Sequence, residues 1–143
     1  MNFDQALAIA VKAHAGQTDK MGDPYIFHPL RIMFKMHSEP ERIVAILHDV
    51  VEDSEITLED LRRKGFSKKI IAAVDAMTKR PHEDYDDYVK RVSGNPLARV
   101  IKVADLEDNM ELRLKHVLIC KDKARMAKYQ KAYRTLTGRL YSL

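Results

Sequence analysis

Cysteine is nearly absent from this chain. Cys120 stands alone, so no intramolecular disulfide can brace the fold. Long apolar runs are missing too: no stretch approaches the length of a membrane span or of a secretory signal, which leaves the cytoplasm as the expected location. Strict apolar–polar alternation, internal repeats and linker-like segments are also lacking. A single all-α domain over residues 1–143 is the economical reading. At 143 residues such a domain buries roughly two-thirds of its unfolded surface without staples. The formal charge of +4 is unevenly spread, because Asp122 is the only acid between Lys121 and Arg139. That excess permits polyanionic ligands.

Helical periodicity runs through almost the whole chain. The pattern predicts a first helix near Phe3 to Ala15, with Leu7, Ala10, Val11 and His14 along one stripe and Gly16 at its end. Gln17 to Pro24 reads as a polar loop, and Pro29 suits a first helical turn, which puts His28 at a helix entrance. Pro40 opens a central helix ending near Asp53, with Ser38 or Glu39 near its cap. Thr57 and Asp60 resemble a capping box for a helix stopped by Gly65, and Ser67 caps the next. After the charged loop from Thr78 to Asp84 comes a helix from about Asp86 to Val92, and Gly94-Asn95-Pro96 makes the next break. A buried helix then runs from Leu97 through Asp105 and Asn109 toward Leu114. The last helix, around Lys121 to Tyr141, carries Met126, Tyr129, Tyr133, Leu136 and Leu140 at spacings of three and four, the mark of a packing seam.

Leu47-His48-Asp49-Val50-Val51-Glu52-Asp53 is the segment that demands explanation. Ile43, Val44, Ile46, Leu47, Val50 and Val51 cover so much of a helix that it should lie deep in the core. Burying His48 and Asp49 there without partners costs several kcal/mol, roughly, so such groups are normally ion-paired, hydrogen-bonded or bound to metal. Glu52 and Asp53 follow them by one turn. Asp105 likewise ends an apolar run. His28, His48, Asp49 and Asp105 are therefore candidate ligands for a divalent first-row metal such as manganese, iron, cobalt or zinc.

His28-Pro29-Leu30, His48-Asp49-Val50-Val51-Glu52-Asp53 and Lys102-Val103-Ala104-Asp105 occur here in an order that resembles the HD-domain superfamily. More narrowly, Ala13-His14-Ala15-Gly16-Gln17 and Gly22-Asp23-Pro24-Tyr25-Ile26 are similar to the hydrolase domains of RelA/SpoT proteins and the free-standing small alarmone hydrolases. The likeness spans roughly Phe3 to Leu114. It implies a helical bundle holding one metal, usually Mn2+, through His28, His48, Asp49 and Asp105. It also implies removal of the 3′-pyrophosphate of guanosine tetra- and pentaphosphate, with Glu52 and Asp53 as the catalytic acidic pair. A metal in such a site lowers the pKa of water and offsets charge developing at phosphorus. Asn109 matches a family position near the nucleotide, and Lys20, Lys79 and Arg80 are further candidates for phosphate contact. No synthetase domain fits in the same 143 residues, so alarmone synthesis is not expected.

Two positions depart from the family pattern. Where those domains usually carry an Arg that stacks on guanine, this chain has Asp19, which cannot make a cation–π contact. The Arg that usually follows the metal-binding aspartate is Leu106. Altered or relaxed base preference is the expectation, adenosine analogues included. Two other functions fit the same residues: a phosphomonoesterase acting on another nucleotide such as NADPH, and a nucleotide-sensing module without turnover. Nucleic-acid binding through Lys121, Lys123, Arg125, Lys128, Lys131 and Arg134 is disfavoured, since the tyrosines of that helix fall on its apolar stripe. His14 reads as a core residue orienting the neighbouring loop, and His37, His82 and His116 as surface residues. Tyr85 and Tyr88 could stack on a base or pack beneath the loop.

Overall fold

Capping chemistry sets most of the helix starts. In the computed structural model, which describes residues 1–115 and 120–142, Asn2, Ser38 and Thr57 each form a reciprocal capping box, with Gln5, Glu41 and Asp60 respectively. Ser67 and Asp84 cap through their side chains alone. The helices that follow are α1 (Phe3–Ala13), α2 (Phe27–Phe34), α3 (Glu39–Leu47), α4 (Val50–Asp53), α5 (Leu58–Arg63), α6 (Lys68–Met77), α7 (Tyr85–Ser93), α8 (Pro96–Lys115) and α9 (Cys120–Thr137). Among the described residues the sole β pairing is a bridge between Thr18 and Pro24. The all-α expectation is met.

The apolar run of α3 lies at the centre, packed against α1, α2, α6 and α8. Ile43, Val44, Ile46 and Leu47 are sealed from solvent, as are Ile32, Leu61, Met77, Ile101, Leu106 and Met110 around them. Each such side chain contributes about 1.5–3 kcal/mol on burial. His48 and Asp105 share this interior, so the candidate site is built into the core.

Two expectations need correction. The central helix does not run unbroken to Asp53: it stops at Leu47, turns at His48–Asp49, and resumes as α4. His48 Nδ1 lies 2.7 Å from the Ala45 carbonyl, the acceptor that a continuing helix would offer to the Asp49 amide. The imidazole thus competes with the backbone, and Asp49 relaxes to φ −102°, ψ −4°. Leu140 is the second. The sequence places it on the α9 seam, yet it is 70% exposed, because Gly138 at φ +73° ends the helix after Thr137 and turns the chain away. Tyr141 folds back instead, its ring 5.2 Å from that of Tyr133.

Candidate metal centre and active site

His28 enters the site from the first turn of α2, His48 and Asp49 from the α3–α4 break, and Asp105 from the middle of α8. Ligand atoms of His28, His48 and Asp49 lie within 4.8 Å of one another. His28 Nε2 is 2.9 Å from Asp105 Oδ1 and 3.6 Å from Asp49 Oδ2. His48 Nε2 is 3.0 Å from Asp49 Oδ2 and 3.6 Å from Asp105 Oδ1. All four candidates named from the sequence therefore converge.

The imidazoles are oriented from behind. Ala45 O can only accept, so His48 Nδ1 carries a proton and Nε2 faces the two carboxylates. That Nε2 is buried and has no hydrogen-bond partner among the described residues, although Asp49 lies close. His28 is turned the same way by Asp108, whose Oδ2 lies 2.6 Å from His28 Nδ1. Two nitrogens aimed between two carboxylates fit a divalent cation of the first row.

Electrostatics keep the acids charged. Burial alone would raise Asp105, but Lys102 and the two histidines outweigh it and hold it well below the usual carboxylate range. Asp49 is likewise lowered despite burial, chiefly by His48. Burial would lower His28, yet its bonds to Asp105 and Asp108 bring it to about 9. Burial would lower His48 too, but the neighbouring charge of Asp49, with Asp105, raises it well above its usual value. Burial followed by the Asp49 charge raises both Glu52 and Asp53.

Several contributors are not evident from the sequence. Lys102, buried on α8, donates to Asp105 Oδ2 at 2.9 Å and lies 5.1 Å from the centre of the Tyr88 ring. Tyr25 donates its hydroxyl to Asp49 Oδ2 at 2.5 Å, and burial with the Asp49 charge keeps that hydroxyl protonated. Asp108, 3% exposed, receives both His28 and Arg31. One pattern could have flagged two of them: Lys102, Asp105 and Asp108 recur every third residue in a helix whose other inward positions are apolar. Tyr25 falls within the Gly22-Asp23-Pro24-Tyr25-Ile26 motif, but nothing local marks its hydroxyl as a partner of Asp49.

A cavity of about 270 Å³ opens onto these groups, and Glu52, Asp53, Lys79, Tyr85, Asn109 and Lys128 help to line it. Glu52 accepts a short hydrogen bond from the Lys79 amide. Asn109 Nδ2 donates to Asp105 Oδ1 at 3.1 Å. Lys20 and Arg80 are not among the lining residues; Arg80 pairs with Asp75 at 3.1 Å, away from the centre. His14 holds Gln17 at 2.8 Å, and Gln17 donates to the Asp53 carbonyl at 2.7 Å, so this histidine does orient the loop beside the site. Tyr88 is a packed residue whose hydroxyl donates to Met77 O, while Tyr85 is half-buried under Lys128 Nζ, 3.9 Å from its ring centre. His37 and His82 are exposed, and His116 lies outside the described residues.

The two departures also find their places. Asp19 accepts from the amides of Met21 and Asp23, closing the loop on itself, and Leu106 is fully buried in the core. Neither offers a cation to a nucleobase.

An all-helical domain in which two histidines and two aspartates converge from α2, the α3–α4 break and α8 is an HD-type domain. No protein-family model matches the chain. It is 36% identical over 121 residues to a GTP pyrophosphokinase of Streptomyces coelicolor, covering 76% of this chain and 14% of that one. It is 36% identical to a guanosine-3′,5′-bis(diphosphate) 3′-pyrophosphohydrolase of Vibrio cholerae, covering 74% of this chain and 17% of that one. The chain thus spans between about a ninth and a sixth of the length of the curated relatives it matches. A solved metazoan ortholog of SpoT, described as hydrolysing ppGpp, superposes with a TM-score of 0.77 at 22% identity, over 96% of this chain and 86% of that one. The chain belongs to the RelA/SpoT family of HD domains.

Proposed function

We propose that this chain is a metal-dependent phosphohydrolase that removes the 3′-pyrophosphate of guanosine tetra- and pentaphosphate-type nucleotides. The carrying observation is the convergence of His28, His48, Asp49 and Asp105 at the base of a cavity rimmed by Glu52 and Asp53. The names of the relatives support the same reading. Residues 1–143 act as one such domain, in the cytoplasm.

Mn2+ is the proposed cofactor, held by the two imidazoles and two carboxylates. When bound, a divalent cation there supplies Lewis acidity toward phosphate oxygen and water. Tyr25, Lys102, Asn109 and Asp108 hold the ligand side chains in place, so little rearrangement is needed. Glu52 and Asp53 handle the protons. Water attacks the phosphorus bonded to the 3′ oxygen, one carboxylate takes the water proton, the P–O3′ bond breaks, and a proton is returned to the 3′ oxygen. The products are a 3′-hydroxyl nucleotide and pyrophosphate. Lys79 and Lys128 meet the phosphates across the cavity mouth. With Asp19 and Leu106 committed to loop and core, discrimination between guanine and adenine is weak.

A panel of guanosine and adenosine 3′-diphosphates, with NADPH included and Mn2+ supplied, tests this by product. Pyrophosphate from the 3′-diphosphates supports the proposal; orthophosphate release identifies a phosphomonoesterase. Tight metal-dependent binding with no product over many hours identifies a sensing module.

A further inference from the structure

Asp108 is 3% exposed, lies outside the proposed ligand set, and is bonded on three sides. Its Oδ2 sits 2.6 Å from His28 Nδ1, and Arg31 grips it with two parallel bonds, Nε to Oδ1 at 2.7 Å and Nη2 to Oδ2 at 3.0 Å. Arg31 lies on α2 one turn after His28, whereas Asp108 comes from α8. The guanidinium reaches outward, its side chain 39% exposed, while the carboxylate is sealed beneath it.

We propose that Arg31 and Asp108 form a positioning pair that fixes His28 as a metal ligand and so sets the affinity of the site for its cation. This rests on the metal reading of the centre. A carboxylate facing Nδ1 holds a proton on that nitrogen and keeps Nε2 turned toward Asp49 and Asp105, where it is the nitrogen that would ligate a cation. The ring cannot turn without breaking the shortest of the three bonds. The bidentate fork stops the carboxylate from swinging with the ring, because its plane is fixed by two bonds rather than one. Hydrogen bonding to an anion also makes the imidazole a stronger donor to a cation. A merely structural ion pair would leave cation affinity untouched. His48 differs in being held by a backbone carbonyl, so the two imidazoles have separate supports.

The test is titration of MnCl2 into the EDTA-stripped full chain by isothermal calorimetry, for the wild type, Asp108→Asn and Arg31→Met. Loss of such an outer support typically weakens metal binding by about 10–100-fold. Asp108→Asn, which keeps the shape but removes the charge, should weaken binding by roughly tenfold, and Arg31→Met by a few-fold. The manganese-induced rise in Tm should shrink in both, whatever happens to the apo Tm. Arg31 lies at the surface, so Arg31→Met carries the test if Asp108→Asn fails to fold. Wild-type manganese affinity in the folded variants would overturn the pairing alone. Absence of manganese binding by the wild type would overturn the metal reading and the pairing with it.

Discussion

Replacing Lys102 with Met removes the one ammonium within hydrogen-bond reach of Asp105 among the described residues, 2.9 Å from its Oδ2, while keeping most of the stem that packs near Tyr88. Lys102 is 8% exposed, so neither member of the pair recovers much hydration when its partner goes. Breaking one side of a buried pair costs about 3–5 kcal/mol. His28 and His48 still face Asp105 and Asn109 still donates to it, which favours the lower end, about 3 kcal/mol. For a domain of this size that loss lowers Tm by roughly 10 °C. Urea unfolding of both proteins in EDTA would measure it, with an unchanged slope showing that the denatured state is the same. Manganese should then raise the Tm of Lys102→Met at least as much as that of the wild type, because the added charge replaces the missing one. A loss below about 1 kcal/mol in EDTA would refute the argument that this pair is electrostatically buried.

Other expectations follow from single contacts. Tyr25→Phe removes the hydroxyl that donates to Asp49 Oδ2; hydrogen bonds to charged groups are worth about 1.5–3 kcal/mol, so calorimetry should show manganese affinity falling roughly tenfold. Glu52→Gln should lower kcat at least about 100-fold in a pyrophosphate-release assay while manganese affinity changes little, as befits a proton-handling group outside the ligand set. Arg91 and the Arg80 amide hold Glu83 down to about 2. A carboxyl lowered on folding stabilises above its unfolded pKa, and that contribution disappears as the pH falls toward 2. The Tm values of wild type and Glu83→Gln should therefore differ at neutral pH and converge in acid.

Local chemistry makes most of the helices legible in the sequence. Ser38, Thr57 and Ser67 cap where their side chains and spacing say they should. The break at His48–Asp49 is not legible, since Ile43 to Val51 is apolar enough to run on, and the interruption comes from a side chain taking a backbone acceptor. The α9 seam misleads at Leu140 for a related reason: periodicity continues past the point where Gly138 turns the chain. At the site, residue types and the family resemblance name the four converging groups, whereas the supports of His28 and Asp49 depend on distant packing. Asp108 meets His28 across 80 positions and Arg31 across 77, separations that no local pattern encodes. Asp19 and Leu106 stand out as departures in the sequence. Their structural roles, a loop closure and a core contact, emerge from the hydrogen bonds and burial around them.

The claim on which the rest depends is that these converging residues form a working hydrolytic centre. Incubating the manganese-loaded chain with guanosine tetraphosphate and resolving the products by ion-exchange chromatography tests it directly. The account predicts GDP and pyrophosphate in equal amounts from the wild type, and neither from Asp49→Ala. Unchanged guanosine tetraphosphate after prolonged incubation with the wild type, or orthophosphate in place of pyrophosphate, would contradict it.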